Sequence, residues 1–275
     1  MTFCQQFTIA ESHYQVSTNS QHIAEHLQHL FAGFQTPPQS TPITFTIHQN
    51  PDQTIQVCPN LNETPPQATI DEFVSHFEWQ LVRSAFDHMS FLGIHSGGVV
   101  YNGKTILFPG QSGKGKSTLT LGCALHGWGL LSDEMIFIRP NTTHAHAFPR
   151  VLCIKNNVEL FQTLDTHHIL QQPHIARQIN NSICVSPQAL TTIPQDHPCP
   201  IHLIIFPNFQ PSHPQKLMSI SPIESLTRLL QLTYKRTQSP QILDTLGHIV
   251  ETVPSYELTM NNLPDAITEV QNLAN

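Results

Sequence analysis

Apolar residues recur every four positions across one long stretch of this chain: Phe73, Phe77, Leu81, Ala85 and Met89, with Val74, Val82 and Phe86 beside them. That spacing predicts a strongly buried helix. Thr69-x-x-Glu72 ahead of it has the form of a capping box. An earlier helix is expected from about Gln21 to Phe34, with Ile23, Leu27, Leu30, Phe31 and Phe34 as its buried stripe. His22, His26 and His29 fall on another face of that helix and read as a solvated polar face, with metal binding as the alternative. Short alternating runs at residues 3–16, Ile43–His48 and Thr54–Val57 predict strands.

From Leu92 the pattern turns to β. Leu92–Tyr101 and Lys104–Phe108 flank Asn102-Gly103, a strong hairpin signal. Ile201–Phe206 is an unbroken apolar run, as in a central strand covered on both faces. Helices are expected after Ser221-Pro222-Ile223-Glu224 and Ser239-Pro240, and again over Pro264–Leu273, with a strand at Tyr256–Met260 between the last two. A short helix is expected over Val158–Leu164, and His167–Asn181 reads as a polar loop over a site. A soft boundary near residue 90 separates an N-terminal α+β region (1–90), packed on the rest, from a larger α/β region (91–275).

One stretch carries specific chemistry. Gly110, Gln111, Ser112, Gly113, Lys114, Gly115, Lys116, Ser117 and Thr118 fit G-x-x-x-x-G-K-[ST], the phosphate-binding P-loop. The glycines let successive backbone N–H groups converge on phosphate oxygens. Lys116 supplies a point charge, Ser117 a hydroxyl for Mg²⁺, and the following helix its positive end. A β-prone run, Thr105–Phe108, precedes the loop, and a helical pattern from Ser117 to His126 follows it, as the motif demands.

Three further positions join it. Sixteen residues lie between Lys116 and Asp133, enough for one βαβ unit that returns Asp133 and Glu134 to the loop's edge of the sheet. One of these carboxylates suits a metal, and the other suits the proton or orientation of an attacking hydroxyl. The hairpin sets His95 near the phosphate site. Arg150, before the β-prone run Val151–Ile154, is placed either to neutralise phosphate charge or on the surface. His144-x-His146 reads as a loop pair with a small claim to metal binding.

Composition narrows the classes. The 275 residues carry a net charge of −7 with only 11% charged residues, and no Lys/Arg cluster marks a nucleic-acid surface. No segment approaches a membrane span, and Met1–Ala10 lacks the basic start and apolar core of a signal peptide. The six cysteines show no C-x-x-C pair. Cys123 and Cys153 lie among apolar residues and read as small core side chains, so a reducing cytoplasm is the expected setting.

Ile94-His95, Gly110–Thr118, Leu131-Ser132-Asp133-Glu134, Pro149-Arg150 with Leu152–Lys155, and Pro254-Ser255-Tyr256-Glu257-Leu258 occur in that order. Together they resemble the catalytic domain of HPr kinase/phosphorylase, and more closely the HPr-kinase-related proteins of peptide-maturation gene clusters. The resemblance covers roughly residues 90–260. It departs where Glu134 replaces the family's second aspartate, and the further C-terminal signatures of HPr kinase are missing, which argues against HPr as substrate and against the reverse reaction.

The resemblance implies a mixed sheet with flanking helices, ATP and Mg²⁺ as cofactors, and a peptide or protein acceptor serine. It also implies roles. Lys116 and the loop amides hold phosphates, and Ser117 holds Mg²⁺. Asp133 is the catalytic base, Glu134 a metal or outer ligand, and His95 a helper. A homo-oligomer fits the family, whose members assemble as hexamers. Two rival readings stay open at this point: a non-catalytic ATP-binding regulator, and a kinase of a small-molecule hydroxyl.

Overall fold

The computed structural model describes residues 1–9, 11–35, 41–59, 69–155, 162, 168–172, 176–179, 182–194, 197–234 and 240–275. In the N-terminal part, β1 (Phe3–Ile9) and β2 (Ser12–Thr18) pair antiparallel. β2 then runs parallel to β3 (Ile43–Gln49), and β4 (Ile55–Cys58) completes a four-stranded sheet. The crossover from β2 to β3 carries α1 (Gln21–Leu30), opened by the Ser20 side chain. α2 (Ile70–His88) begins at the Thr69–Glu72 capping box, with both reciprocal bonds formed.

The large sheet is built next. β5 (Leu92–Tyr101) and β6 (Lys104–Pro109) form the expected hairpin, with Asn102 and Gly103 both at positive φ (49° and 77°). α3 (Lys116–Leu125) leads to β7 (Gly129–Ser132), β8 (Met135–Ile138) and β9 (His144–His146). β10 (Leu152–Lys155), β11 (Ala176–Ile179) and β12 (Ser182–Val185) make a separate three-stranded sheet. The chain then adds β13 (Cys199–Phe209), β14 (Lys216–Ser219), α4 (Pro222–Leu232), α5 (Pro240–Thr252), β15 (Ser255–Met260) and α6 (Leu263–Ala274).

The strand order is β14-β15-β13-β6-β5-β8-β9, with β7 also paired to β5. β6, β13 and β15 run parallel, while β5 is antiparallel to β6, β7 and β8. β6 and β7 therefore point the same way, as a crossover helix requires, but β5 lies between them. The hairpin has occupied the place beside the P-loop strand that a simple βαβ unit gives to its second strand.

Alternate residues of the central strands serve two cores. Phe108, Leu203 and Ile205 pack with Leu119 and Leu121 of α3 and Leu263 and Ile267 of α6. Leu107, Ile204 and Phe206 pack with Leu229 of α4 and Leu246 and Ile249 of α5. The result is a mixed α/β sheet with helices on both faces. A third core gathers Phe7, Tyr14, Leu27 and Phe77 together with Phe137, Phe148 and Val151, so it spans residue 90. No helix among the described residues is long and apolar enough to cross a membrane.

Several expectations need correction. His26 and His29 are buried, because α1 packs on β1, β2 and α2, and the His29 ring meets the Cys184 carbonyl at 3.2 Å. His144 and His146 lie on the short strand β9, not in a loop. Cys153 is exposed and is disulfide-bonded to Cys184, its direct antiparallel partner across β10 and β12, with Cα atoms 4.0 Å apart. Most of the helix expected at Val158–Leu164, and much of His167–Asn181, lies outside the described residues.

Candidate active site

The loop after β6 turns on two glycines in the left-handed region. Gly113 and Gly115 sit at φ 84° and 87°, and Gly115 is the residue from which α3 starts. A side chain at Gly115 would be strained at that φ, and its Cβ would lie 2.1 Å from the Met260 methyl. No acidic residue lies in the first turn of α3, so nothing there cancels its positive end. Lys114 is tied back to β13: its Nζ donates to Asn208 Oδ1 at 3.1 Å, and its carbonyl accepts from the Phe209 N–H at 3.2 Å. Lys116 is only 5% exposed and donates from Nζ to the Asp133 carbonyl at 3.2 Å.

β5 brings the remaining groups together. Its register sets His95 opposite Met135 and Ser96 opposite Pro109, so one strand touches both the acid pair and the mouth of the loop. The His95 carbonyl accepts from the Gly110 N–H at 3.4 Å, and the Glu134 carbonyl accepts from the Ser96 N–H at 3.2 Å. The Ser132 hydroxyl accepts from the Glu134 and Met135 N–H groups at 3.2 and 3.1 Å, which shapes the bend carrying both carboxylates. Gly97 lets α3 come close, for a Cβ there would lie 2.1 Å from Thr120 Oγ1.

The two acids have different surroundings. Asp133 is 5% exposed, with the Ser117 side chain close enough to favour its charged form. Burial, with the Glu134 charge adding to it, pushes its carboxyl up to about 6, against the pull of Lys116, Arg150 and Ser117. Glu134 is 37% exposed, on the cleft wall, with its Oε1 3.5 Å from His95 Nε2. Burial first, then Lys116, hold the His95 imidazole below its ordinary range although Glu134 opposes them. The ring is therefore neutral near pH 7, and its approach to Glu134 is not a standing ion pair.

Arg150 is paired with α2. Its Nε and one terminal nitrogen donate to the two oxygens of Glu78, both at 2.7 Å, and Glu78 on α2 is 1% exposed. Burial disfavours the guanidinium charge. Glu78 outweighs that, with smaller help from Asp133 and Glu134, so the group is held above its ordinary range. The acid pair thus feels a cation whose hydrogen bonds are already directed to the N-terminal part.

Gln111–Gly113, Gly115–Thr118, His95 and Glu134 line a cleft of about 540 Å³. Its far wall comes from Cys153, Ile154, Phe209, Met260, Asn262 and Leu263. Sequence reasoning missed Glu78 and most of this wall. Asn262 was the most accessible of these: parallel strands gather functional residues at their C-terminal ends, and β15 ends beside it as a helix begins. Among the described residues no group of three or more His, Cys, Asp or Glu is gathered as for a protein-caged metal. A P-loop Mg²⁺ asks for less: one or two protein ligands, with phosphates and water completing its shell.

No known family's sequence profile matches the chain, and no curated protein matches it. Among solved structures it is similar to the Hpr(Ser) kinase/phosphatase from Coxiella burnetii, at 13% identity over 66% of this chain and 97% of that one, with a TM-score of 0.33. A score that low carries no argument about this chain, and the functional reading rests on the cleft's own residues.

Proposed function

We propose that this chain is an ATP- and Mg²⁺-dependent kinase that transfers the γ-phosphate to a serine hydroxyl of a peptide or protein, a chemistry suited to ribosomal peptide maturation. The observation that carries the reading is the juxtaposition of a phosphate loop with two carboxylates in contrasting settings, Asp133 buried against Ser117 and Glu134 open to the cleft. A nucleotide-binding module needs the loop but has no use for the second, exposed acid.

The loop amides and Lys116 hold the phosphates. Ser117 and Asp133 would hold Mg²⁺, which when bound neutralises phosphate oxygens. The acceptor oxygen bonds to the γ-phosphorus as the bond to the β-phosphate oxygen breaks and ADP departs. The acceptor's proton passes to the Glu134 carboxylate, which His95 orients from 3.5 Å. This exchanges the expected roles of the two acids, because Asp133 lies buried beside Ser117 and Glu134 is the one that lines the cleft. Arg150 offsets the negative charge of the acid pair, with two of its guanidinium nitrogens committed to Glu78.

The test is transfer of radiolabelled γ-phosphate to serine peptides. Glu134→Gln should lower kcat by about 10²–10⁴-fold with little change in KM for Mg·ATP. Lys116→Ala should lose nucleotide binding. Transfer by Glu134→Gln at the wild-type rate sinks the base assignment, and tight Mg·ATP binding by Lys116→Ala sinks the loop assignment.

A further inference from the structure

The sheet order gives the cleft two unlike sides. The phosphate loop follows β6. On one side of β6 stand β5 and β8, which bring His95 and Glu134 to the cleft. On the other side stand β13 and β15, which run parallel to β6 and so end at the same edge of the sheet. β13 delivers Phe209 there as its last residue, β15 delivers Met260 as its last, and Leu263 follows where α6 begins. The acid with its histidine and this apolar wall therefore flank the loop from opposite sides.

The wall is fixed against the loop. A Cβ on Gly115 would lie 3.2 Å from the Phe209 Cβ, and the Phe209 N–H is the donor to the Lys114 carbonyl. Leu263 packs on α3, where a Cβ on Gly122 would lie 2.8 Å from one of its methyl groups. Met260 and Leu263 are buried, whereas Phe209 is 46% exposed. An aromatic side chain left this open, on a cleft and with its backbone pinned, offers a ligand a large apolar surface at a small ordering cost.

A nucleoside triphosphate on the loop has a direction. Its γ-phosphate faces the carboxylate that takes the acceptor's proton, on the β5–β8 side. Its ribose and base then extend toward β13 and β15. Every base has a π-face that stacks on aromatic side chains, and larger ring systems stack more strongly.

We infer that the nucleotide base stacks on Phe209, with Met260 and Leu263 beside it, and that this contact makes the site favour purine over pyrimidine nucleotides. This rests on the phosphate-loop part of the kinase reading and is independent of the acceptor.

The test is calorimetric binding of ATP, CTP and inorganic tripolyphosphate, each with Mg²⁺, to the full chain as wild type, Phe209→Ala and Phe209→Trp. Wild type should bind ATP about 10-fold more tightly than CTP. Phe209→Ala should weaken ATP by about 10–100-fold and bring the two nucleotides within about 2-fold of each other. Its affinity for tripolyphosphate should not change, which also reports an intact loop. Phe209→Trp should keep ATP binding within about 3-fold of wild type. A Phe209→Ala protein that keeps the wild-type ATP affinity, keeps the ATP-to-CTP ratio, or loses ATP and tripolyphosphate by the same factor overturns the stacking assignment and leaves the kinase reading standing. Wild type that binds none of the three overturns the phosphate-loop reading, and this inference with it.

Discussion

Replacing Asp133 with Asn should stabilise the nucleotide-free protein and at the same time abolish phosphoryl transfer. The carboxyl is buried and titrates at about 6 in the folded chain against an ordinary 3.8. At 1.36 kcal/mol per pH unit, that difference makes the ionised acid a burden of about 3 kcal/mol. Because the folded value is raised, the fold is unburdened below the unfolded value. Stability is lost as pH climbs from about 4 through 6, and the full cost is carried at pH 7 and above. Asn has nearly the same shape but never ionises. Urea denaturation of wild type and Asp133→Asn from pH 4 to 8, with EDTA and without nucleotide, reads the effect directly. The two should agree near pH 4, and the gap should widen to about 1–3 kcal/mol in favour of Asn by pH 8. Peptide phosphorylation by the variant should fall at least about 100-fold, because the proposed Mg²⁺ ligand is gone. A variant no more stable than wild type at pH 8, or a gap that does not vary with pH, refutes the argument that burial raises this group.

Two further predictions concern structure. Arg150→Met leaves the 1%-exposed Glu78 carboxylate without its bidentate partner. It should cost about 3–5 kcal/mol in urea denaturation, while the double variant Glu78→Leu/Arg150→Met should recover most of that loss; equal losses for single and double variants would show that the pair contributes packing alone. Thiol titration of the unfolded, unreduced protein should find the four cysteines 4, 58, 123 and 199, and six after reduction; six before reduction would mean that Cys153 and Cys184 are unpaired.

What could be read from the sequence was whatever is encoded locally. The P-loop pattern is contiguous because a phosphate cradle needs neighbouring amides, and the hairpin shows itself because Asn102-Gly103 supplies the two positive φ values its turn needs. The two-sided burial of β13 follows from its apolar run. Strand order is not local: nothing in residues 92–101 says that β5 will stand between β6 and β7. Glu78 was hidden for a similar reason. It sits inside the apolar stripe of α2 and meets a partner in a segment 72 residues away. His26 and His29 looked solvated because a polar side chain at helical spacing gives no sign of what will cover it. Cys153 and Cys184, 31 positions apart, escaped a search for short cysteine motifs.

The core that spans residue 90 bears on how the chain can be divided. Phe137, Phe148 and Val151 reach it from residues beyond β5, and Phe7, Tyr14, Leu27 and Phe77 from the N-terminal part. A protein trimmed to begin at β5 would keep every motif the sequence advertises. It would also present those three apolar side chains to water and leave the Arg150 guanidinium without its carboxylate. The first ninety residues carry no recognisable motif of their own, yet they cover the apolar side chains and the guanidinium that a fragment beginning at β5 would leave bare.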